Sequence, residues 1–190
     1  MTEEKQVPEV NQAEASTGPK WGRIFAWVGL LGLLFLVGLG LVRAQRGPVG
    51  VGDVAPEFIL TTYDGQEIYS KDLAGKVVVL NFWASWCKPC EQEAADLESA
   101  WRYYEENRDV LFLGVAYTDT PTESQKYLNK FDITYPNGDD LGTRISQAYR
   151  IRGVPETYVI GRDGVITHAQ IGPFMSLGQI QSVVEAALAP

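Results

Sequence analysis

Cys87 and Cys90 are the only cysteines among 190 residues, and His168 is the only histidine. Two thiols spaced this way can exchange a disulfide with another molecule, contribute half of a metal site, or staple the chain. As a staple the pair is weak, because so short a loop restrains the unfolded chain little. As zinc ligands they lack company, since a closed Cys/His site takes four donors and the chain has three such residues in all. A protease-type Cys–His pair would have to use His168, which lies in a strand-like pattern with no local signature. Redox exchange is the chemistry the setting favours.

That setting is a join between two elements. Val77–Phe82 is a continuous β-branched and apolar run, as expected of a strand buried on both faces. After Pro89 the chain runs to about Asn107 without Gly or Pro and is rich in Glu, Ala and Leu, which predicts a helix. A sulfur at the first turn of that helix meets unpaired N–H groups and the positive end of the macrodipole, so Cys87 is expected as a thiolate and nucleophile. Lys88 adds positive charge beside it. Cys90, one turn further in, is expected to be more buried and to act as the resolving thiol. Pro89 is tolerated in a first turn and stiffens the segment between the sulfurs.

The flanking segments alternate strand-like and helix-like patterns, which predicts an α/β domain. Phe58–Thr62 and Gln66–Tyr69 flank Asp64-Gly65 as an opening hairpin, and Thr157–Ile160 and Val165–Ile171 flank Arg162-Asp163-Gly164 as a second. Val110–Tyr117 reads as another buried strand. Pro121 opens a helix to about Phe131, a shorter helix falls within Asp140–Tyr149, and Ser176–Leu188 closes the chain as an amphipathic helix. Asp139 and Asp140 read as a helix N-terminus rather than a cation site.

Upstream, residues 1–22 form a polar tail with four glutamates and no apolar period, expected to be disordered. Ile24 through Val42 is nineteen residues without a charge, within a predicted transmembrane helix over 23–43. The run is longer than the apolar part of a cleaved signal and lacks a small-x-small site, so it reads as an anchor. Residues 24–42 would contact lipid. Lys20 and Arg23 on one side balance Arg43 and Arg46 on the other, so charge leaves the orientation open. A linker over 44–50 precedes the domain, residues 51–190. With 24 acidic against 16 basic residues the chain lacks the basic excess of a nucleic-acid binder.

Phe82-Trp-Ala-Ser-Trp-Cys-Lys-Pro-Cys90 together with Gly153-Val-Pro-Glu-Thr-Tyr158 resembles the thioredoxin superfamily, and within it the membrane-anchored TlpA/ResA/DsbE-like thiol–disulfide oxidoreductases. Val51–Phe58 and Asp72–Lys76 resemble the same group's opening segment, so the similarity spans about residues 50–188. The resemblance implies a thioredoxin-like fold: a central mixed sheet flanked by helices with an N-terminal β-hairpin extension, preceded here by one transmembrane helix. It implies a cis peptide between Val154 and Pro155, set against the sulfurs. Where thioredoxins bury an aspartate this chain has Asn81, and Glu93 stands where reductases of cytochrome c maturation carry a glutamate. On that likeness Glu93 is the expected proton relay for Cys90, with a solvated helix glutamate as the bland alternative.

Trp86 is expected on the exposed platform around Cys87 and Trp83 beneath it; Glu156 either selects partners or stays solvated. Ala95, where thioredoxins usually place a kinking proline, implies a straighter helix.

The activity implied is that of a reductase of protein disulfides, single-pass in the cell membrane with its catalytic domain on the extracytoplasmic side. It would act on protein thiols such as the haem-attachment cysteines of an apocytochrome c and draw electrons from a membrane thiol donor. No cofactor or metal is called for, since the two cysteines hold the electron pair. The rivals are a peroxiredoxin-like thiol peroxidase and a non-catalytic thioredoxin-like binding module. Against the first, Leu80 and Ala84 stand where the Pro and Thr of its Pro-x-x-x-Thr-x-x-Cys pattern belong.

Overall fold

The computed structural model describes residues 21–44, 47 and 49–189, in two units divided after Arg46. The first unit is helix α1, Trp21–Ala44, which starts two residues before the expected anchor and is long and apolar enough to cross a membrane. Of the tail expected over residues 1–22, residues 1–20 lie outside the described residues, and Trp21 and Gly22 belong to α1 instead.

The second unit is α/β. A two-stranded antiparallel sheet, β1 (Ile59–Thr61) and β2 (Glu67–Tyr69), precedes a short 3-10 turn at Ser70–Leu73. The chain then runs β3 (Val77–Trp83), α2 (Lys88–Tyr104), β4 (Val110–Tyr117), α3 (Pro121–Lys130), β5 (Asn137–Asp140), α4 (Arg144–Tyr149), β6 (Glu156–Ile160), β7 (Ile166–Ile171) and α5 (Leu177–Leu188). The five-stranded sheet has the order β5-β4-β3-β6-β7, with β3 parallel to β4, β4 parallel to β5, and both β6 pairings antiparallel. This is the expected mixed sheet with its hairpin extension. Gly65 and Gly164, both with positive φ, turn the two hairpins.

Strand β3 lies at the centre, and every residue of it is buried. Its alternation sends Val78, Leu80 and Phe82 into a core shared with Tyr149 and Tyr158, and Val77 and Val79 into one shared with Leu97 of α2 and Ile180 of α5. Asn81 and Trp83 have the parity of the second face, so the strand's polar residue is delivered toward α2. Helix α2 runs unbroken through Ala95.

Two expectations need correction. The short strand β5 occupies Asn137–Asp140, where a helix start was predicted; Asp139 lies inside that strand and its carboxylate accepts from the Tyr63 hydroxyl. Asp140 does cap α4, reaching forward to the N–H groups of Ile145 and Ser146 at 3.2 and 2.8 Å. The domain also begins earlier than Val51, because Val49 is buried in the core and its N–H reaches the Tyr149 carbonyl.

Candidate active site

Cys87 is the N-cap of α2, in extended conformation, and its Sγ accepts the Cys90 N–H at 3.1 Å. The two sulfurs form a disulfide of 2.02 Å. The helix N-terminus thus places a main-chain donor on the Cys87 sulfur, which favours the thiolate once the bond is reduced. The Val154 carbonyl oxygen lies 3.5 Å from the same sulfur and acts in the opposite sense, as an acceptor for a protonated thiol. The expected contrast in burial is slight in this oxidised state: Cys87 is 3% exposed and Cys90 1%.

Glu93, one turn beyond Cys90, is itself only 1% exposed, so the solvated alternative fails. Its Oε1 accepts from Asn81 Nδ2 at 2.9 Å, and its Oε2 accepts the main-chain N–H of Phe174, in the loop between β7 and α5, at 2.8 Å. Asn81 Nδ2 also donates to Thr157 Oγ1 at 2.9 Å, as the pairing of Asn81 with Thr157 across β3 and β6 requires. Burial pushes the Glu93 carboxyl up to about 7, while the donors from Phe174 and Asn81 favour the carboxylate and pull the other way. A carboxyl so poised can take or give a proton near neutral pH.

The other expected residues sort by exposure. Trp86 is 58% exposed beside the disulfide, whereas Trp83 is buried and stacks on Tyr127 with ring centroids 4.5 Å apart. Lys88 and Pro89 are exposed, and the Lys88 ammonium pairs with Glu91, which Lys130 also reaches. The Val154–Pro155 peptide is cis. Glu156 is neither solvated nor available to partners: it is 1% exposed, and its carboxylate accepts from Arg152 N and Tyr158 Oη, both at 2.8 Å. A buried charge needs such donors, and these two fix the loop leading to Pro155.

Sequence reasoning missed Asp119, Phe174, Thr157 and Asn137. The buried Asp119 accepts from Ser85 N at 2.6 Å, Ser85 Oγ at 3.0 Å and Thr120 N at 2.8 Å, which holds the turn before Cys87. Its place just past the carboxyl end of a parallel strand was a usable signal. Asn137 accepts from Trp83 Nε1 at 2.8 Å, and this pair needs Gly114, whose added Cβ would lie 1.7 Å from Asn137 Oδ1. His168 lies in β7, its ring stacked on Phe174 with centroids 6.1 Å apart. Among the described residues no group of three or more His, Cys, Asp or Glu side chains gathers to hold a metal ion.

Comparison with known proteins agrees with this geometry. The sequence profile of the AhpC/TSA family matches residues 51–169. A thiol–disulfide oxidoreductase ResA of Bacillus cereus (strain ZK / E33L) is 32% identical over 152 residues, covering 78% of this chain and 87% of its own. Among solved structures, a thiol:disulfide interchange protein of the thioredoxin family from Chlorobium tepidum TLS superposes with a TM-score of 0.65 at 27% identity, over 76% of this chain and 99% of that one. A secreted Mycobacterium tuberculosis disulfide oxidoreductase, homologous to E. coli DsbE, gives 0.62 at 27% identity over 68% and 95%.

Proposed function

The chain belongs to the AhpC/TSA family and is a thiol–disulfide oxidoreductase of the ResA/DsbE type, and from that premise we propose that it is a membrane-anchored reductase of protein disulfides on the extracytoplasmic side. The observation that carries this reading is the buried Glu93 carboxyl one turn beyond Cys90, poised near neutral pH.

In the reduced protein the Cys87 thiolate attacks one sulfur of a substrate disulfide, forming a mixed disulfide and expelling the other substrate sulfur as a thiolate, which takes a proton from water. Glu93 as carboxylate then accepts the Cys90 proton. The Cys90 thiolate attacks Cys87 Sγ, closes the Cys87–Cys90 disulfide and releases the second substrate sulfur as a thiolate, which takes a proton from water while Glu93 returns its own proton to solvent. Two electrons leave the protein and two substrate thiols result; a membrane dithiol donor restores the Cys87–Cys90 pair by the reverse exchange. Trp86, Lys88, Pro89 and the Val154–Pro155 edge form the surroundings a protein substrate meets, with Glu156 holding that edge from beneath. The glutamate at position 93 supports the haem-attachment cysteines of an apocytochrome c as the substrate class. Helix α1 supports a single-pass anchor with lipid contact over residues 24–42.

A peroxidase reading has less to build on, because Leu80 and Ala84 are fully buried and carry no polar side-chain atom. The deciding experiment equilibrates the full-length protein in detergent against a thiol buffer, together with capture by Cys90→Ala in cells. A strongly reducing potential and disulfide-linked partners bearing a CxxCH segment are expected. An oxidising potential, or peroxide consumption without disulfide exchange, would sink the proposal.

A further inference from the structure

Glu93 must exist in two protonation states if it passes a proton, and its two oxygens do not have equivalent neighbours. Oε2 faces the Phe174 main-chain N–H, which can only donate. A proton on Oε2 would meet that N–H head on. Oε1 faces the Asn81 carboxamide, which in turn touches Thr157 Oγ1, both at 2.9 Å. Asn81, Thr157 and Glu93 are 2%, 0% and 1% exposed, so each lost pairing there leaves an orphan.

We infer that Asn81 and Thr157 are positioning residues that form a reversible donor–acceptor pair, keeping the Glu93 proton on Oε1 and satisfying the carboxyl in both its charged and its neutral form. With Glu93 ionised, Asn81 Nδ2 donates to Oε1 and to Thr157 Oγ1. When Glu93 gains a proton, the amide turns over about Cβ–Cγ: Oδ1 then accepts from Glu93 Oε1–H and from the Thr157 hydroxyl. The same heavy-atom spacing serves both arrangements, since amide oxygen and nitrogen occupy equivalent places. An aspartate at position 81 could not donate while ionised, and a valine at 157 could do neither task. In the oxidised protein Cys90 is held in the disulfide, and the titratable groups around the carboxyl are the Tyr127 and Tyr135 phenols, which burial keeps far above the usual phenol range and therefore neutral. No charged side chain contributes to holding the Glu93 proton.

The inference rests on the relay reading of Glu93, but its test does not need activity. The infrared carboxyl band of Glu93 is followed through a pH titration of the full-length oxidised protein in detergent, identified by its loss in Glu93→Gln. Thr157→Val strands an Asn81 N–H when Glu93 is ionised but leaves the turned-over amide oxygen one partner, so the midpoint should rise by about one pH unit, a tenfold change in the ionised fraction. Thr157→Ser should restore it. Asn81→Asp places two carboxyls on one proton and should split the titration into two steps, the upper one above the wild-type midpoint. An unmoved midpoint in Thr157→Val, failure of Thr157→Ser to restore it, or a single unshifted step in Asn81→Asp overturns the inference. A shifted band in variants whose exchange rates are unchanged would instead remove the relay reading and leave the pair standing.

Discussion

Phe174 donates its main-chain N–H to Glu93 Oε2 at 2.8 Å across a sequence separation of 81 residues, tying the loop before α5 to the carboxyl one turn beyond Cys90. The bond joins the two sides of the site through a charge whose state depends on pH.

The first expectation follows from that charge. Burial raises the Glu93 carboxyl from its ordinary 4.5 to about 7. Between those values the folded chain keeps a proton that the unfolded chain has released, so Glu93's contribution is fully present below about pH 4.5 and is lost as pH rises through about 7. The loss amounts to about 3 kcal/mol. Denaturant unfolding of the oxidised protein at pH 5 and pH 8 should show this decline in the wild type and little of it in Glu93→Gln. Equal pH dependence in both would contradict the assignment. In the reduced protein the same substitution should slow resolution by Cys90 about 10²-fold near pH 7.

Asp119→Ala should loosen the turn that presents Cys87. Three donors lose their acceptor, two of them main-chain N–H groups. A loss of about 2–3 kcal/mol in unfolding free energy is expected, with a fall in disulfide-exchange rate. Asp119→Asn keeps one carbonyl oxygen and should recover part of both; a variant as stable as the wild type would show that the carboxylate holds nothing.

Gly114→Ala tests the support under the disulfide. The new methyl would stand 1.7 Å from Asn137 Oδ1 and 2.9 Å from Trp83 Nε1. Asn137 must move and leave the Trp83 indole N–H unpaired, at a cost of about 2–4 kcal/mol. Gly142→Ala, whose nearest neighbour is Arg144 Nε at 3.6 Å, serves as the control and should change the unfolding midpoint little.

Trp86→Ala separates recognition from stability. The side chain is 58% exposed, so its removal should change unfolding free energy by less than about 0.5 kcal/mol. If it meets the substrate, KM for a protein disulfide should rise about tenfold while the rate with a small dithiol stays constant. Equal effects on both substrates would show that Trp86 acts on the disulfide itself.

The strand, CxxC and helix were legible because each follows from a strong local pattern: the Val77–Phe82 run, the Gly- and Pro-free stretch after Cys90, and the paired cysteines. Both hairpins were legible from their turn residues. Strand β5 was not, since Asn137-Gly-Asp-Asp has almost no strand preference. It forms because it pairs with β4 and because Gly138 lets the Thr61 carbonyl approach, where a Cβ would stand 2.1 Å away. Glu156 misled for a related reason. Its type suggests solvent, and only the placing of β6 between β3 and β7 buries it. For Glu93, spacing gave the helical face it shares with Cys90, but its Phe174 donor lies too far along the chain for any local pattern to show.

The near-complete enclosure of both sulfurs has a kinetic meaning. With Cys87 and Cys90 at 3% and 1% exposure, a freely diffusing small thiol meets little of the pair and exchanges slowly. Fast exchange calls for a sulfur carried in by a surface shaped to the Trp86 and Val154 rim. Random scrambling with ambient thiols is thereby slow, and the disulfide stays closed until a fitting macromolecule docks.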